Sequence, residues 1–426
     1  MCILVFDMRK YIYLLAFIFF SNTLWASFIY LPMSHDNQKN HLKAYGIVYY
    51  ALQNGLKAKW LLNYDGGAFL IENNADVVNE CKIRGVSYEE ISSARSQIIL
   101  EEISSPSKNQ EAVTLEKAPK IAVYSPKDKM PWDDAVTMVL TYAEIPFDVV
   151  YDEEVLGDKL LLYEWLHLHH EDFTGQYGRF YGAFRTAPWY IRQKKDAEAL
   201  AKKLGYSKVS EAKRDVARKI RDYVVGGGFM FAMCSATDSF DIALAADGVD
   251  ICETMFDGDP SEPNYQSKLD FNKTFAFNNF QLIRNPTTYE FSSIDMTRKR
   301  RIRQESDYFV LKEFSAKWDQ VPTMLCQNHT QVVKAFMGQT TSFDRNNVKS
   351  TVMVLGENKT NSEARYIHGT KGKGMFTYYG GHDPEDYRHR VGDPKTELDL
   401  HPTSPGYRLI LNNVLFPAAK KKKQKT

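Results

Sequence analysis

Short apolar runs alternate with helical stretches between residues 120 and 246, and this alternation restricts the fold more than any other feature. The apolar runs that predict strands lie at 120–125, 147–151, 165–169 and 229–233. A helical stretch covers 131–143, and another begins near Ser239. Strands and helices in this order and at this spacing predict an α/β fold, a flavodoxin-like three-layer sandwich around a parallel sheet.

Two further regions accompany this predicted domain, which spans 119–417. Residues 27–118 predict a small N-terminal α/β unit of strand, helix and strand, ending in a polar stretch, 104–120, interpreted as a linker. Residues 250–350 predict a β-rich insertion beside the sheet. Strand patterns return at 351–355 and 374–379, a final helix covers 406–414, and 418–426 form a Lys-rich tail.

The first residues have the order of a secretory signal peptide. Basic residues Arg9 and Lys10 precede an apolar run at 11–20, and the small residue Ala26 follows. A run of about ten residues is shorter than the ~20 that a helix needs to span a bilayer. We therefore expect removal of residues 1–26 and export to the periplasm or the extracellular space, with no membrane span in the mature chain.

The charge balance and the cysteine content exclude several classes of protein. Lys and Arg total 54 against 53 Asp and Glu, and five lysines lie in the last seven residues, so the body offers no basic face for nucleic acid. The cysteines left after signal removal are too sparse for a disulfide scaffold or a zinc ribbon. We expect a small-molecule substrate, no cofactor and no metal, and the oligomeric state stays open. The cysteines in question are Cys81, Cys234, Cys252 and Cys326.

One of these cysteines lies at the junction of a buried strand and a helix. The apolar run 229–233 ends directly before Cys234, and the helical stretch from Ser239 follows. On such a turn the helix N-terminus stabilises a thiolate, and backbone N–H groups can hold an oxyanion. The usual nucleophile elbow has glycine two residues to either side, whereas Ala232 and Ala236 stand there in this chain. A buried structural cysteine is the alternative.

Two segments carry a family resemblance. Residues 227–249, GGFMFAMCSATDSFDIALAADGV, resemble the nucleophile segment of class I glutamine amidotransferases, in which a strand, G-x-C-x-G and an Ala-rich helix lead into a Gly-containing turn. Residues 368–386, HGTKGKGMFTYYGGHDPED, resemble the ThuA-like branch of that superfamily, in which a strand leads into Gly-His-Asp. The resemblance covers roughly 120–417 and implies the same fold there.

The resemblance also implies catalytic roles. Cys234 would attack a carbonyl carbon, His382 would relay the proton, and Glu385 or Asp383 would orient the imidazole. The amidotransferase triad has His-Pro-Glu, with histidine and glutamate two residues apart. Here Glu385 follows His382 by three residues, with Asp383 between them, so the identity of the orienting acid is open.

A second group of polar residues follows the apolar run 165–169. Strand alternation places His167 and His169 on one face. In amidotransferase-like folds the loop after the corresponding strand borders the nucleophile and supplies oxyanion contacts. The group lacks a recognised metal-ligand spacing, so hydrogen-bonded histidines and a solvated acidic loop are favoured over a metal site. The implied substrate and oxyanion residues are His169, His170, Glu171, Asp172, Thr174, Gly175 and, beside the nucleophile, Ser235.

The sequence therefore predicts an exported, cysteine-dependent hydrolase or amidase of the class I glutamine amidotransferase-like type. The alternative is a non-catalytic ThuA-like binding or scaffold protein of the cell envelope, linked to carbohydrate; the alanines beside Cys234 and the irregular His–Glu spacing favour it. An asparagine synthetase-type amidotransferase is least favoured. Residues 235–239 are similar to the pyrophosphate loop of that class but lack its glycines.

Overall fold

The computed structural model describes most of the chain, in which α-helices and β-strands are mixed. The signal-peptide prediction for 1–26 and residues 421–426 of the Lys-rich tail lie outside the described part. The described residues are 28–126, 133–300, 302–316, 322–326, 329–388, 390 and 392–420.

The N-terminal unit is a five-stranded antiparallel sheet with three helices. Its strands are β1 (Phe28–Leu31), β2 (Ala58–Leu62), β3 (Phe69–Glu72), β4 (Glu89–Ile91) and β5 (Glu111–Leu115). Its helices are α1 (His41–Gln53), α2 (Ala75–Arg84) and α3 (Ser93–Ser104). The spatial order is β4-β1-β3-β2-β5, so the first and second strands of the predicted strand–helix–strand unit are separated by β3.

The polar stretch interpreted as a linker contains β5, and this interpretation is therefore wrong in part. β5 pairs antiparallel with β2 along its whole length, from Glu111 to Leu115. This strand was not predicted because it is an edge strand in which only Val113 and Leu115 are buried. Such half-exposed strands carry polar residues, and a polar stretch of sequence is easily interpreted as a loop.

The second sheet has ten strands. They are β6 (Ile121–Tyr124), β7 (Asp148–Val150), β8 (Trp165–Leu168), β9 (Phe229–Met233), β10 (Tyr308–Leu311), β11 (Val332–Lys334), β12 (Phe343–Asp344), β13 (Met353–Asn358), β14 (Glu363–Lys371) and β15 (Gly374–Tyr379). The order is β11-β10-β13-β14-β15-β9-β8-β6-β7, and β12 pairs with β14. From β15 to β7 all neighbours are parallel, as predicted, whereas the remaining pairs are antiparallel.

The helices of the second region include those predicted at 131–143 and 406–414 and several that were not predicted. They are α4 (Ala135–Tyr142), α5 (Asp152–Leu156), α6 (Tyr181–Phe184), α7 (Pro188–Lys203), α8 (Val209–Gly226), α9 (Ala236–Ala245), α10 (Thr254–Asp257) and α11 (Pro405–Leu415). The helix after Cys234 begins at Ala236 rather than near Ser239. Helix α6 and the start of α7 lie within residues 171–190, which the sequence predicts as a long loop. Within the described ranges no helix combines the length and the apolar character that a membrane crossing requires.

The expected β-rich insertion at 250–350 is mainly loop. Its described strands are the short β10, β11 and β12. Side chains supply many of the hydrogen bonds that a sheet would otherwise provide. The buried carboxylate of Asp241 on α9, for example, accepts the backbone N–H groups of Phe275 at 2.7 Å, Ala276 at 2.7 Å and Phe277 at 2.9 Å.

Alternate residues of the parallel strands face two separate hydrophobic cores. Trp165 and Phe231 belong to the core that contains α4, α11 and α1 of the N-terminal unit. Leu166 and Met230 belong to the opposite core, which contains α8, α9 and part of the insertion. The second region is therefore a sheet between two helical layers, and the N-terminal unit packs on one of them.

We predict that Asp241→Ala lowers the free energy of unfolding by about 3 kcal/mol, because it leaves three buried N–H groups without an acceptor. Urea unfolding followed by circular dichroism measures the change. The control is Asp158→Asn, which removes the exposed charge that pairs with Lys219 but keeps a side chain tolerated at the left-handed φ of 61°, and it should contribute about 0.5 kcal/mol or less. Equal effects of the two substitutions would contradict the anchoring role of Asp241.

Candidate functional site

Cys234 occupies a strained turn between β9 and α9. Its φ is 51°, in the left-handed region that residues with a Cβ rarely adopt. The backbone N–H of Cys234 donates to the Gly381 carbonyl at 3.2 Å, and that of Ala236 donates to the His169 carbonyl at 3.0 Å. These bonds hold the turn between the ends of β15 and β8. A cysteine in this conformation between a buried strand and a helix has the geometry of a nucleophile elbow.

The imidazole of His169 stands next to this cysteine and is held by Asp134. Its Nδ1 lies 2.9 Å from Oδ2 of Asp134, and the ring is almost fully buried. Burial alone would lower the pKa of His169, but the Asp134 carboxylate and the Cys234 side chain raise it to about 10. Thiol, imidazole and carboxylate thus follow one another in the order of a nucleophilic triad.

Asp134 joins several elements of the site. Its Oδ1 accepts the backbone N–H of Thr137 at 2.8 Å and so caps α4, while its Oδ2 also lies 3.1 Å from Nε2 of His167. Burial would raise the pKa of Asp134, but the His167 and His169 imidazoles hold it well below its usual range. The carboxylate is therefore charged and fixes the orientation of both rings. The predicted shared face of His167 and His169 is confirmed.

Three imidazoles meet above the strand ends. The rings of His169 and His170 are stacked, with centroids 4.0 Å apart, and His382 lies 4.7 Å from each of them. The Nε2 atoms of His170 and His382 are 3.2 Å apart. The carboxylate of Asp133 flanks this pair, with one oxygen 3.8 Å from Nε2 of His170 and the other 3.9 Å from Nε2 of His382.

The two acids expected beside His382 have other partners. The Asp383 carboxylate accepts hydrogen bonds from the Tyr407 hydroxyl at 2.8 Å and the Thr396 hydroxyl at 2.7 Å. Glu385 pairs with Nδ1 of His401 at 3.3 Å. Both carboxylates thus hold the segment before α11, and the carboxylate seen on a histidine next to Cys234 comes from Asp134. The carboxylate–imidazole pair expected from Asp383 or Glu385 with His382 is thus seen beside Cys234 as Asp134 with His169 instead.

The loop after β8 borders the site, but most of its polar side chains stabilise the loop itself. Asp172 accepts the backbone N–H groups of Thr174 at 2.7 Å and Gly178 at 3.0 Å. Gly175 has a φ of 82° and approaches the Ser210 backbone so closely that a Cβ would collide with it. Glu171 lies 3.4 Å from the ammonium group of Lys213, and burial raises the pKa of this carboxyl.

The structure thus brings together Cys234, Ser235, His169, His170 and His382, whereas Glu171, Asp172, Thr174 and Gly175 build the adjoining loop. Ser235 is buried directly before α9. The sequence reasoning did not select Asp133, Asp134 or His167. A signal for the two acids was present, because they follow the first strand of the parallel sheet and therefore lie at the same edge as Cys234.

Comparisons with known proteins do not identify the chain. No protein-family model matches it, and no curated protein does. Among solved structures, two cytoplasmic proteins of Salmonella typhimurium are similar over 71% of this chain and 100% of their own, with 9% and 12% identity and TM-scores of 0.32 and 0.33. A GH42 β-galactosidase from G. stearothermophilus is similar over 62% of this chain and 28% of its own, with 10% identity and a TM-score of 0.27. Likenesses at this level carry no argument about function.

We predict that iodoacetamide at neutral pH modifies Cys234 before the other buried cysteines. Burial raises the pKa of Cys81 to about 12 and holds that of Cys252 well above its usual range, so neither forms the reactive thiolate. Cys234 lies beside the His169 imidazole, which can accept the thiol proton during the reaction. Peptide mapping by mass spectrometry after timed labelling measures the order, and labelling of Cys81 or Cys252 ahead of Cys234 would contradict it.

Proposed function

We propose that this protein is a cysteine-dependent hydrolase of the class I glutamine amidotransferase-like type, acting on an amide or ester bond of a small molecule. Cys234 is the nucleophile, His169 is its base and Asp134 orients His169. The observation that carries the proposal is the left-handed turn at Cys234 with the His169–Asp134 pair beside it.

The order of the parallel strands supports this fold assignment. In chain order the strands are β6, β7, β8, β9 and β15, and in space they run β7-β6-β8-β9-β15. This is the 2-1-3-4-5 order of flavodoxin-like sheets, whose ligands bind at the carboxyl edge near the point where the strand order reverses. Asp134 and His169 follow β6 and β8, the two strands at that point, and Cys234 follows the next strand, β9.

The strained backbone supports a catalytic role for the cysteine over a purely structural one. A left-handed conformation at a residue other than glycine costs about 1–3 kcal/mol, and such strain collects at functional sites. A cysteine that only filled the core would gain nothing from this conformation, since an extended strand end would bury it equally well. The turn instead places the thiol at the edge where His169 and the start of α9 meet.

The proposed reaction proceeds in two steps. His169 accepts the thiol proton at Nε2, and the sulfur of Cys234 forms a bond to the carbonyl carbon of the substrate while the carbonyl electrons move to the oxygen. The backbone N–H of Ser235, the residue after the nucleophile, stabilises this oxyanion. The leaving amine or alcohol takes the proton from His169 and departs. Water, deprotonated by the same imidazole, then cleaves the thioester to give the acid and the free thiol.

The covered site favours a small substrate. Tyr289 of the insertion lies close enough to Cys234 for the two groups to interact electrostatically. Gly338, also from the insertion, packs on the backbone of His382 so tightly that a Cβ there would lie 2.7 Å from the His382 nitrogen. Cys234 itself is 4% exposed. We infer that a thiol enclosed in this way excludes a polymer and favours a small amide or ester.

We predict that Cys234→Ser and Asp134→Asn each lower the esterase rate with p-nitrophenyl acetate by about 10²–10⁴-fold. Serine is nearly isosteric with cysteine but far less nucleophilic, and asparagine removes the charge that orients His169. The control is Cys326→Ser, because a serine hydroxyl can replace the thiol that contacts the Leu355 carbonyl at 3.5 Å. Release of p-nitrophenolate at matched protein concentrations measures the rates, and thermal melting verifies that each variant is folded.

A rate that is unchanged in Cys234→Ser would contradict the proposal. The alternative function is a non-catalytic ThuA-like binding or scaffold protein linked to carbohydrate. That alternative predicts no turnover by the wild type. A lower rate in Cys234→Ser with an unchanged rate in Asp134→Asn would support Cys234 as the nucleophile. It would overturn the assignment of His169 as the base oriented by Asp134.

Export is a further part of the proposal, and it rests on the order of basic, apolar and small residues at 8–26. We expect the mature protein to begin at Ser27, directly after Ala26. Amino-terminal sequencing of the protein purified from the cell envelope or the culture medium tests this. A chain that retains Met1 or Met8 in the cytosol would contradict it.

A further inference from the structure

A cavity of about 540 Å³ opens at the surface between the segment before β10 and the segment that connects β15 to α11. Residues 302–305 line it from the first segment, and residues 387, 388 and 390 line it from the second. This volume falls within the roughly 300–1,000 Å³ that is common for small-molecule sites. None of the residues that line the cavity belongs to the candidate site at Cys234.

The lining of this cavity is positively charged. Arg303 comes from the first segment, and Arg388 and Arg390 come from the second. With Glu305, the one acid among the lining residues, three guanidinium groups and one carboxylate leave two positive charges. Within the described part of the chain no carboxylate forms an ion pair with these guanidinium groups, and Asp393 accepts the backbone N–H of Arg390 instead. Like charges around one cavity repel each other, and a bound anion would remove this repulsion.

Buried contacts hold the walls of the cavity in place. The backbone N–H of Met337 donates to the Tyr387 carbonyl at 2.9 Å, and both residues line the cavity. The guanidinium group of Arg300, which is 2% exposed, donates to the Met337 sulfur at 3.2 Å. Arg300 is itself fixed by ion pairs with Asp307 and Glu363. The cavity is therefore built on a buried network and does not depend on exposed side chains alone.

The acids of this network do not cancel the charge of the cavity. Asp307 and Glu363 are buried and pair with Arg300. Arg365, also fully buried, interacts electrostatically with both carboxylates. Two guanidinium groups thus balance two carboxylates behind the wall, and the positive charge of the lining remains for a ligand.

The geometry points to a binding site for a small phosphorylated molecule, formed by Arg303, Arg388 and Arg390. A guanidinium group binds phosphate oxygens through two parallel N–H···O bonds. A phosphate monoester carries a charge of about −1.5 to −2 at neutral pH, which matches the net charge of the lining. The half-buried side chains of Ile302 and Tyr387 offer apolar surface to the organic part of the ligand. The site does not depend on the proposed hydrolase activity.

The shape of the site favours a small molecule over a nucleic-acid strand. A strand is bound along a basic groove that follows several successive phosphates. Here the arginines surround one cavity, and the whole chain has a formal net charge of only +1. We therefore expect one phosphate group to be held by all three arginines.

Isothermal titration calorimetry with phenyl phosphate tests the inference, using the full chain at low ionic strength, where exposed charges are least screened. We expect one bound molecule per chain, and a loss of affinity of about tenfold or more in both Arg303→Ala and Arg388→Ala. Phenol, which lacks the phosphate group, should not bind. The matched control is Arg192→Ala, since this exposed arginine lies on α7, away from the cavity, and should leave the affinity unchanged.

Three outcomes of this titration would overturn the inference. They are absence of phenyl phosphate binding by the wild type, equal affinity of the wild type and all three variants, and binding of a single-stranded oligoribonucleotide where phenyl phosphate does not bind.

A second measurement uses the wild type and so does not depend on the folding of any variant. Phenylglyoxal modifies accessible arginine side chains, and peptide mapping shows which ones. We expect phenyl phosphate to slow the modification of Arg303, Arg388 and Arg390 severalfold and to leave that of Arg192 unchanged. Equal rates with and without phenyl phosphate would overturn the site.

The variant Cys234→Ser separates this site from the hydrolase proposal. It removes the proposed nucleophile but no residue of the cavity, so we expect its affinity for phenyl phosphate to match that of the wild type. A tenfold loss would overturn the location of the site. A wild type without esterase activity would contradict the hydrolase proposal and leave the binding result unaffected.

Discussion

The buried carboxylate of Asp134 determines how the carboxyl edge of the parallel sheet is built. One oxygen caps α4, and the other lies within hydrogen-bond distance of His167 and His169. A buried carboxylate costs several kcal/mol unless it is paired and hydrogen-bonded, so these groups must come together as the domain folds. The imidazole beside Cys234 is consequently positioned by a strand and a helix cap. This gives the precise placement that proton transfer to or from a nucleophile requires.

The backbone of Cys234 is the second constraint. Its left-handed conformation is unfavourable in isolation, and hydrogen bonds from the turn to the Gly381 and His169 carbonyls offset the cost. The same bonds join the ends of three neighbouring strands. Thiol and imidazoles therefore share one small space.

The sequence was sufficient to predict the parallel strands and much of the candidate site. Buried parallel strands are continuous apolar runs, and Cys234, His169 and His382 each follow such a run closely, so their convergence could be predicted. The acid was missed, because motif reasoning looked beside His382, whereas Asp134 reaches the site from the end of another strand. The antiparallel half of the sheet and the loop-rich insertion were also missed. The strands β10 and β11 are half exposed, and the loops of the insertion depend on side-chain hydrogen bonds, such as those of Asp241, that leave no periodic pattern.

A crystal structure of the protein after reaction with iodoacetamide tests the central claim most directly, since it shows the turn, the modified atom and its neighbours at once. We expect the added group on the sulfur of Cys234, a positive φ at that residue, and His169 between the sulfur and the Asp134 carboxylate. An extended backbone at Cys234, or a His169 ring turned away from the sulfur with Asp134 bonded elsewhere, would contradict the account.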